Sequence, residues 1–162
     1  MEPGQSFVCP ACHEPLREGA AFCHRCGAPV PSQIILKAID FMSSYSSIAW
    51  QETDSGLEVE ASSPEGFPII VDSSDTETIL YFGGWHDHFT DPIEAFDWFR
   101  KAIMGQVRLA VTSRFGISYR WDVQELNPTG AWTIRHMAAL LIPIPLPYKR
   151  VQYLLNRFTR AA

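Results

Sequence analysis

Between residues 33 and 45 the apolar positions recur at helical spacing. Ile35, Ala38, Ile39 and Met42 form a stripe that Ile34 and Phe41 widen. That period predicts an amphipathic helix. Ser32 is suited to cap its start, and the serine-rich SSYSS ends it. The pattern then changes to alternation. In GLEVEAS, Leu57, Val59 and Ala61 share one face while Glu58 and Glu60 share the other, after a short strand at IAWQE. PIIVD and TILYFGG are more continuously apolar and flank the turn-like SSDTE, so they predict a hairpin.

A second helix follows at DPIEAFDWFRKAI. Asp91 is placed to cap it, Pro92 takes the first helical position, and Glu94 completes a capping-box spacing. Its expected buried stripe is Ala95, Phe96, Phe99, Ala102 and Ile103. QVRLAVT and ISYRWDVQ alternate again around SRFG, and AWTIRHM reads as a further strand after the turn NPTG. The chain is expected to end in a helix over YKRVQYLLNRFTR, burying Val151, Leu154, Leu155 and Phe158, after a proline-stiffened arm at IPIPLP. The order of elements predicts an α+β fold with one antiparallel sheet and helices packed on one face, occupying residues 32–162.

Charge is unevenly spread along the 162 residues. From Ala38 to Phe99 there are thirteen acids and no Lys or Arg, whereas Arg100 to Ala162 hold ten Lys or Arg and only Asp122 and Glu125 as acids. If strands from the two halves pair, Glu58 and Glu60 lie across from Arg108, Arg120 or Arg135. If they occupy separate surfaces, the protein is strongly dipolar. The net charge of −5 disfavours general nucleic-acid binding. MEPGQSFVCP has neither a basic nor an apolar leader region, and MAALLIPIPLP is too short and proline-broken to span a bilayer. These features predict a cytoplasmic protein with no membrane association.

All four cysteines fall in CPACHEPLREGAAFCHRCG, with the spacing C-x2-C-x10-C-x2-C. Cys9, Cys12, Cys23 and Cys26 can form two tight knuckles that close a tetrahedron of thiolates around zinc. Pro10 and Gly27 suit the knuckle turns. This segment resembles the short zinc ribbons at the ends of bacterial and archaeal proteins, matching them at Cys9, Pro10, Cys12, Gly19, Phe22, Cys23, Cys26 and Gly27. His13 departs from that pattern, since glycine is usual there. The expected cofactor is one structural Zn2+ in a ribbon over residues 6–30, because four sulfur ligands leave no open position for catalysis.

FGGWHDHFTD is the candidate site outside the ribbon. His86 and His88 lie two apart and point to one side of an extended backbone, and with Asp91 they form a possible ligand or second-metal site. In the opposing structural reading, Trp85 and Phe89 plug the core and the histidines bond backbone groups. With SYRW this stretch resembles, over residues 80–123, small bacterial α+β domains to which no activity is attached. The element order is also loosely similar to secretion-chaperone-like folds, which bind protein. No phosphate-binding glycine loop or nucleophile elbow is present. The sequence therefore predicts a non-enzymatic, zinc-binding adaptor that docks another protein or larger assembly. The alternative is a metal-dependent hydrolase or nuclease centred on His86 and His88.

Overall fold

A computed structural model describes residues 8–9, 11–17, 20, 22–28, 30, 32–74, 76–140 and 148–160. Pro10, Gly19 and the IPIPLP arm lie outside them. Beyond the cysteine segment come helix α1 (Gln33–Met42) and strands β1 (Trp50–Glu52), β2 (Gly56–Val59), β3 (Ile69–Ser73), β4 (Thr78–Phe82) and β5 (Trp85–Phe89). Helix α2 (Pro92–Ile103) and strands β6 (Val107–Arg114), β7 (Ile117–Leu126), β8 (Trp132–Ala139) and β9 (Lys149–Leu155) follow. The class is α+β and every pairing is antiparallel, but the strands form two sheets instead of one, ordered β1-β2-β3-β4-β5 and β8-β7-β6-β9.

Alternation in β2, β3 and β4 turns Leu57, Val59, Ile69, Val71, Leu80 and Phe82 inward. There they meet Ile34, Ile35, Ala38 and Met42 of α1 and Ala95, Trp98, Phe99, Ala102 and Ile103 of α2. Trp98 takes the fully buried place expected for Phe96, which is half-buried and meets Phe41 of α1 edge-on at 6.1 Å. Val107, Leu109 and Val123 bring the second sheet into the same core. Burial of one such side chain, Phe99 for example, contributes about 2–3 kcal/mol.

The helix ends show which local signals act. Asp91 accepts a hydrogen bond from the Ile93 N–H at 2.8 Å, with Pro92 behind it. At the other end Gly105 is left-handed (φ 70°), and the Gln106 N–H reaches the Lys101 carbonyl at 2.9 Å. This is the six-to-one bond of a glycine-terminated helix. Ser32 holds the N-cap position of α1, but its side chain makes no capping bond.

Two expectations are corrected. The final segment is strand β9, not a helix. It pairs along β6 from Arg108↔Leu155 to Arg114↔Lys149, so the free edge of β6 supplies hydrogen bonds that outweigh a helical apolar stripe. In the strand, Val151 and Tyr153 face outward and Leu154 turns toward the core. Nor do the acidic and basic halves pair as strands. Glu58 lies opposite Gln51 and Ile70, inside a sheet built wholly from residues 50–89. Arg108, Arg120 and Arg135 belong to the other sheet. Each short hairpin closes on its sequence neighbour, and the charge split follows the sheet split.

Candidate metal centre

The two cysteine pairs are built alike. The Cys9 N–H donates to the Glu14 carbonyl and the His13 N–H to the Cys9 carbonyl, both at 2.8 Å. In the second pair the Cys23 N–H donates to the Ala28 carbonyl at 2.8 Å and the Gly27 N–H to the Cys23 carbonyl at 2.9 Å. Each knuckle needs a left-handed residue just after its second cysteine. Gly27 supplies it at φ 71°, and His13 supplies it at φ 59° despite its side chain. His13 thus keeps the geometry that glycine would give, at a steric cost.

The four sulfurs lie within 4.8 Å of one another. Cys9 and Cys26 are 3.7 Å apart and Cys12 and Cys23 3.6 Å. A tetrahedron with Zn–S bonds of ~2.3 Å has sulfur–sulfur edges of ~3.8 Å. A disulfide needs ~2.05 Å. The spacing fits a metal and not a crosslink. Cys9 and Cys23 are buried, Cys12 is half-buried and Cys26 exposed. Arg25 and Glu14 form an ion pair that ties one knuckle to the other.

The backbone also prepares the sulfurs. Backbone N–H groups of Cys26 and Arg25 pull the Cys23 thiol down to about 6, so its thiolate is present at neutral pH. At Cys12 the Glu14 N–H favours the thiolate, but burial and the sulfurs of Cys26, Cys23 and Cys9 outweigh it and push the thiol up to about 12. The metal-free site therefore holds a proton on Cys12 that an incoming cation must displace.

His86 and His88 do project to one side of β5, with ring centroids 5.7 Å apart, on the face opposite the buried Trp85 and Phe89. The expectation that the two aromatic residues plug the core holds. Among the described residues, however, neither histidine side chain bonds a backbone group. His88 Nδ1 meets the Glu77 carboxylate at 2.8 Å, and the His86 ring lies 5.4 Å from Tyr81. Asp91 is committed to capping α2.

Asp87, between the histidines, turns to the other face and pairs with His136 Nδ1 at 2.9 Å. His136 sits forty-nine residues further along the chain, and Trp98 and Trp85 pack on it at 4.9 and 5.4 Å. No local signal marks that pair, because only the packing of β8 against β5 creates it. Beside it, Lys101 bridges Asp97 (2.6 Å) and Glu125 (2.7 Å) across α2 and β7. Both Lys101 and Asp97 are partly desolvated, but their hydrogen-bonded partners outweigh that, raising the ammonium and lowering the carboxyl.

Among the described residues, the cysteines are the group of His, Cys, Asp and Glu side chains gathered closely enough to hold a metal ion. No curated protein and no solved structure matches the chain. A family model described as a zinc-ribbon domain matches residues 8–30. That segment is a zinc ribbon, and its four cysteines fit a single structural zinc ion.

Proposed function

We propose that this protein is a non-enzymatic adaptor in the cytoplasm, in which the zinc ribbon and the α+β body dock another protein or a larger assembly. The observation that carries the reading is a metal site closed by four sulfurs beside an exposed apolar side chain. The closed site leaves no coordination position for water or substrate. Phe22, next to Cys23, is 66% exposed, and Val8, next to Cys9, is 48% exposed. Each knuckle thus presents an apolar residue to solvent on a rigid turn, which suits docking. Free cysteines available to metal also accord with a reducing compartment.

A second reading rests on the exposed His86–His88 pair, which with Glu77 offers nitrogen and oxygen ligands to a catalytic ion. The two readings are separated by affinity capture from cell extract beside hydrolysis assays on phosphodiester and peptide substrates with added divalent metal. The adaptor reading expects a partner held in fixed stoichiometry, released by Phe22→Ser with zinc content unchanged, and no turnover. Turnover that disappears in a His86→Ala/His88→Ala variant would establish the hydrolase instead.

A further inference from the structure

The end of the second sheet where β6 turns into β7 carries a feature that the fold does not need. Arg114 pairs with Ile117, so Phe115 and Gly116 are the two central residues of the hairpin turn, with φ 50° and 78°. Such a turn favours Asn-Gly, and a bulky residue in the left-handed region is an outlier. Burial offers the ring little in return, because Phe115 is 62% exposed.

The antiparallel order β8-β7-β6-β9 brings the end of β8 and the start of β9 to this same end of the sheet. Tyr148, just before β9, is also left-handed (φ 62°) and 79% exposed, and its ring meets Phe115 edge-on at 5.9 Å. Ile117 and Leu140 join them at 62% and 61% exposure, Leu140 held there by its N–H bond to the Tyr119 carbonyl. Two aromatic residues in strained backbone, both turned to solvent, point to a purpose outside the folded chain.

The segments that form the tip carry charge of one sign. Lys149 and Arg150 are exposed beside the tip. The sequence holds no Asp or Glu after Glu125. Asp122 is bound by Arg120 through both carboxylate oxygens, at 2.8 and 3.0 Å. The tip gathers a hairpin turn and two strand ends. A protein partner would need a pocket matched to these separate side chains, whereas a bilayer interface receives apolar side chains of any outline. Aromatic rings favour the lipid–water interface, and cations beside them favour anionic headgroups.

We propose that this end of the second sheet is a membrane-contact tip, in which Phe115, Ile117, Leu140 and Tyr148 enter the interface of an anionic bilayer while Lys149 and Arg150 meet its phosphates. The contact is peripheral, because no helix among the described residues is long and apolar enough to cross a membrane. It stands independently of the adaptor reading.

The test is co-sedimentation of the zinc-loaded full chain with two kinds of vesicle: phosphatidylcholine alone, and phosphatidylcholine with about a third phosphatidylglycerol. Binding is expected to the anionic vesicles, weakened by salt. Phe115→Asn is expected to lower it by about tenfold. The same variant is expected to melt at or above the wild-type temperature, because Asn-Gly suits the turn. Lys149→Glu with Arg150→Glu is expected to abolish the preference for anionic vesicles. A wild type that ignores anionic vesicles, or a Phe115→Asn variant that binds them equally well, overturns the proposal. So does self-association, or a protein contact, that Phe115→Asn removes while no vesicle binding exists.

Discussion

Replacing Asn156 with alanine removes a buried side chain that joins the end of β9 to the loop before β3. Asn156 is fully buried. Its Oδ1 accepts from the Phe67 N–H at 3.1 Å and from the Ser62 N–H at 3.3 Å, and its Nδ2 donates to the Phe67 carbonyl at 2.9 Å. Alanine leaves both backbone groups of Phe67 buried without partners, at roughly 1–3 kcal/mol each. The weaker Ser62 contact adds less, and water entering the space left by the amide holds the total near the lower end. The expected loss is therefore about 3 kcal/mol, a large part of the ~5–15 kcal/mol typical of a whole domain. The melting temperature of the α+β body is expected to fall on the order of 10 °C. Asn156→Asp is expected to do no better. It keeps the acceptor but loses the donor to Phe67 and buries a charge. Chemical denaturation read by far-ultraviolet circular dichroism measures both variants. A loss for Asn156→Ala under about 1 kcal/mol would refute the reasoning, since it would mean that the buried Phe67 backbone groups do not depend on the Asn156 amide.

His13→Gly relieves a left-handed non-glycine residue and is expected to tighten zinc by at most about fivefold, measured by chelator competition; weaker binding would mean that the His13 side chain contributes something glycine cannot. Gly84→Ala places a Cβ 2.6 Å from the Trp121 indole nitrogen, so the indole must shift. A loss of about 1–3 kcal/mol in denaturant melts is expected, and an unchanged midpoint would contradict the close packing of the β4–β5 turn on β7. Zinc affinity is expected to fall with falling pH. Binding displaces the proton held on Cys12, whose pKa is raised, and below about 6 Cys23 takes up a proton too. Chelator competition that is flat from about neutral to about pH 5 would contradict this order of protonation.

The metal centre was readable in the sequence because its ligands are close neighbours, and four cysteines in two short pairs admit few other geometries. Helices α1 and α2 and the strands up to β8 other than β5 were readable for a related reason, since each is announced by its own periodicity and by a local turn or cap such as Asp91–Pro92; the Gly83–Gly84 pair read as the end of a strand and hid β5 behind it. β9 was not. Val151, Leu154, Leu155 and Phe158 satisfy a helical stripe, and nothing within the segment reveals that β6 offers it an open edge. The division into two sheets, which keeps Glu58 away from Arg108, is likewise a matter of which strands meet. The Asp87–His136 pair illustrates the same limit, because its partners share no local pattern and are joined only by packing.

The central claim is that this chain carries one zinc, held by its four cysteines alone. Elemental analysis of the purified full chain tests it most directly when wild type, Cys12→Ser and a His86→Ala/His88→Ala variant are compared. The expected result is a single zinc per chain in the wild type, unchanged without the histidines and lost or much weakened without Cys12. A second ion that disappears with His86 and His88, or a wild type whose cysteines are oxidised and metal-free under reducing purification, would contradict it.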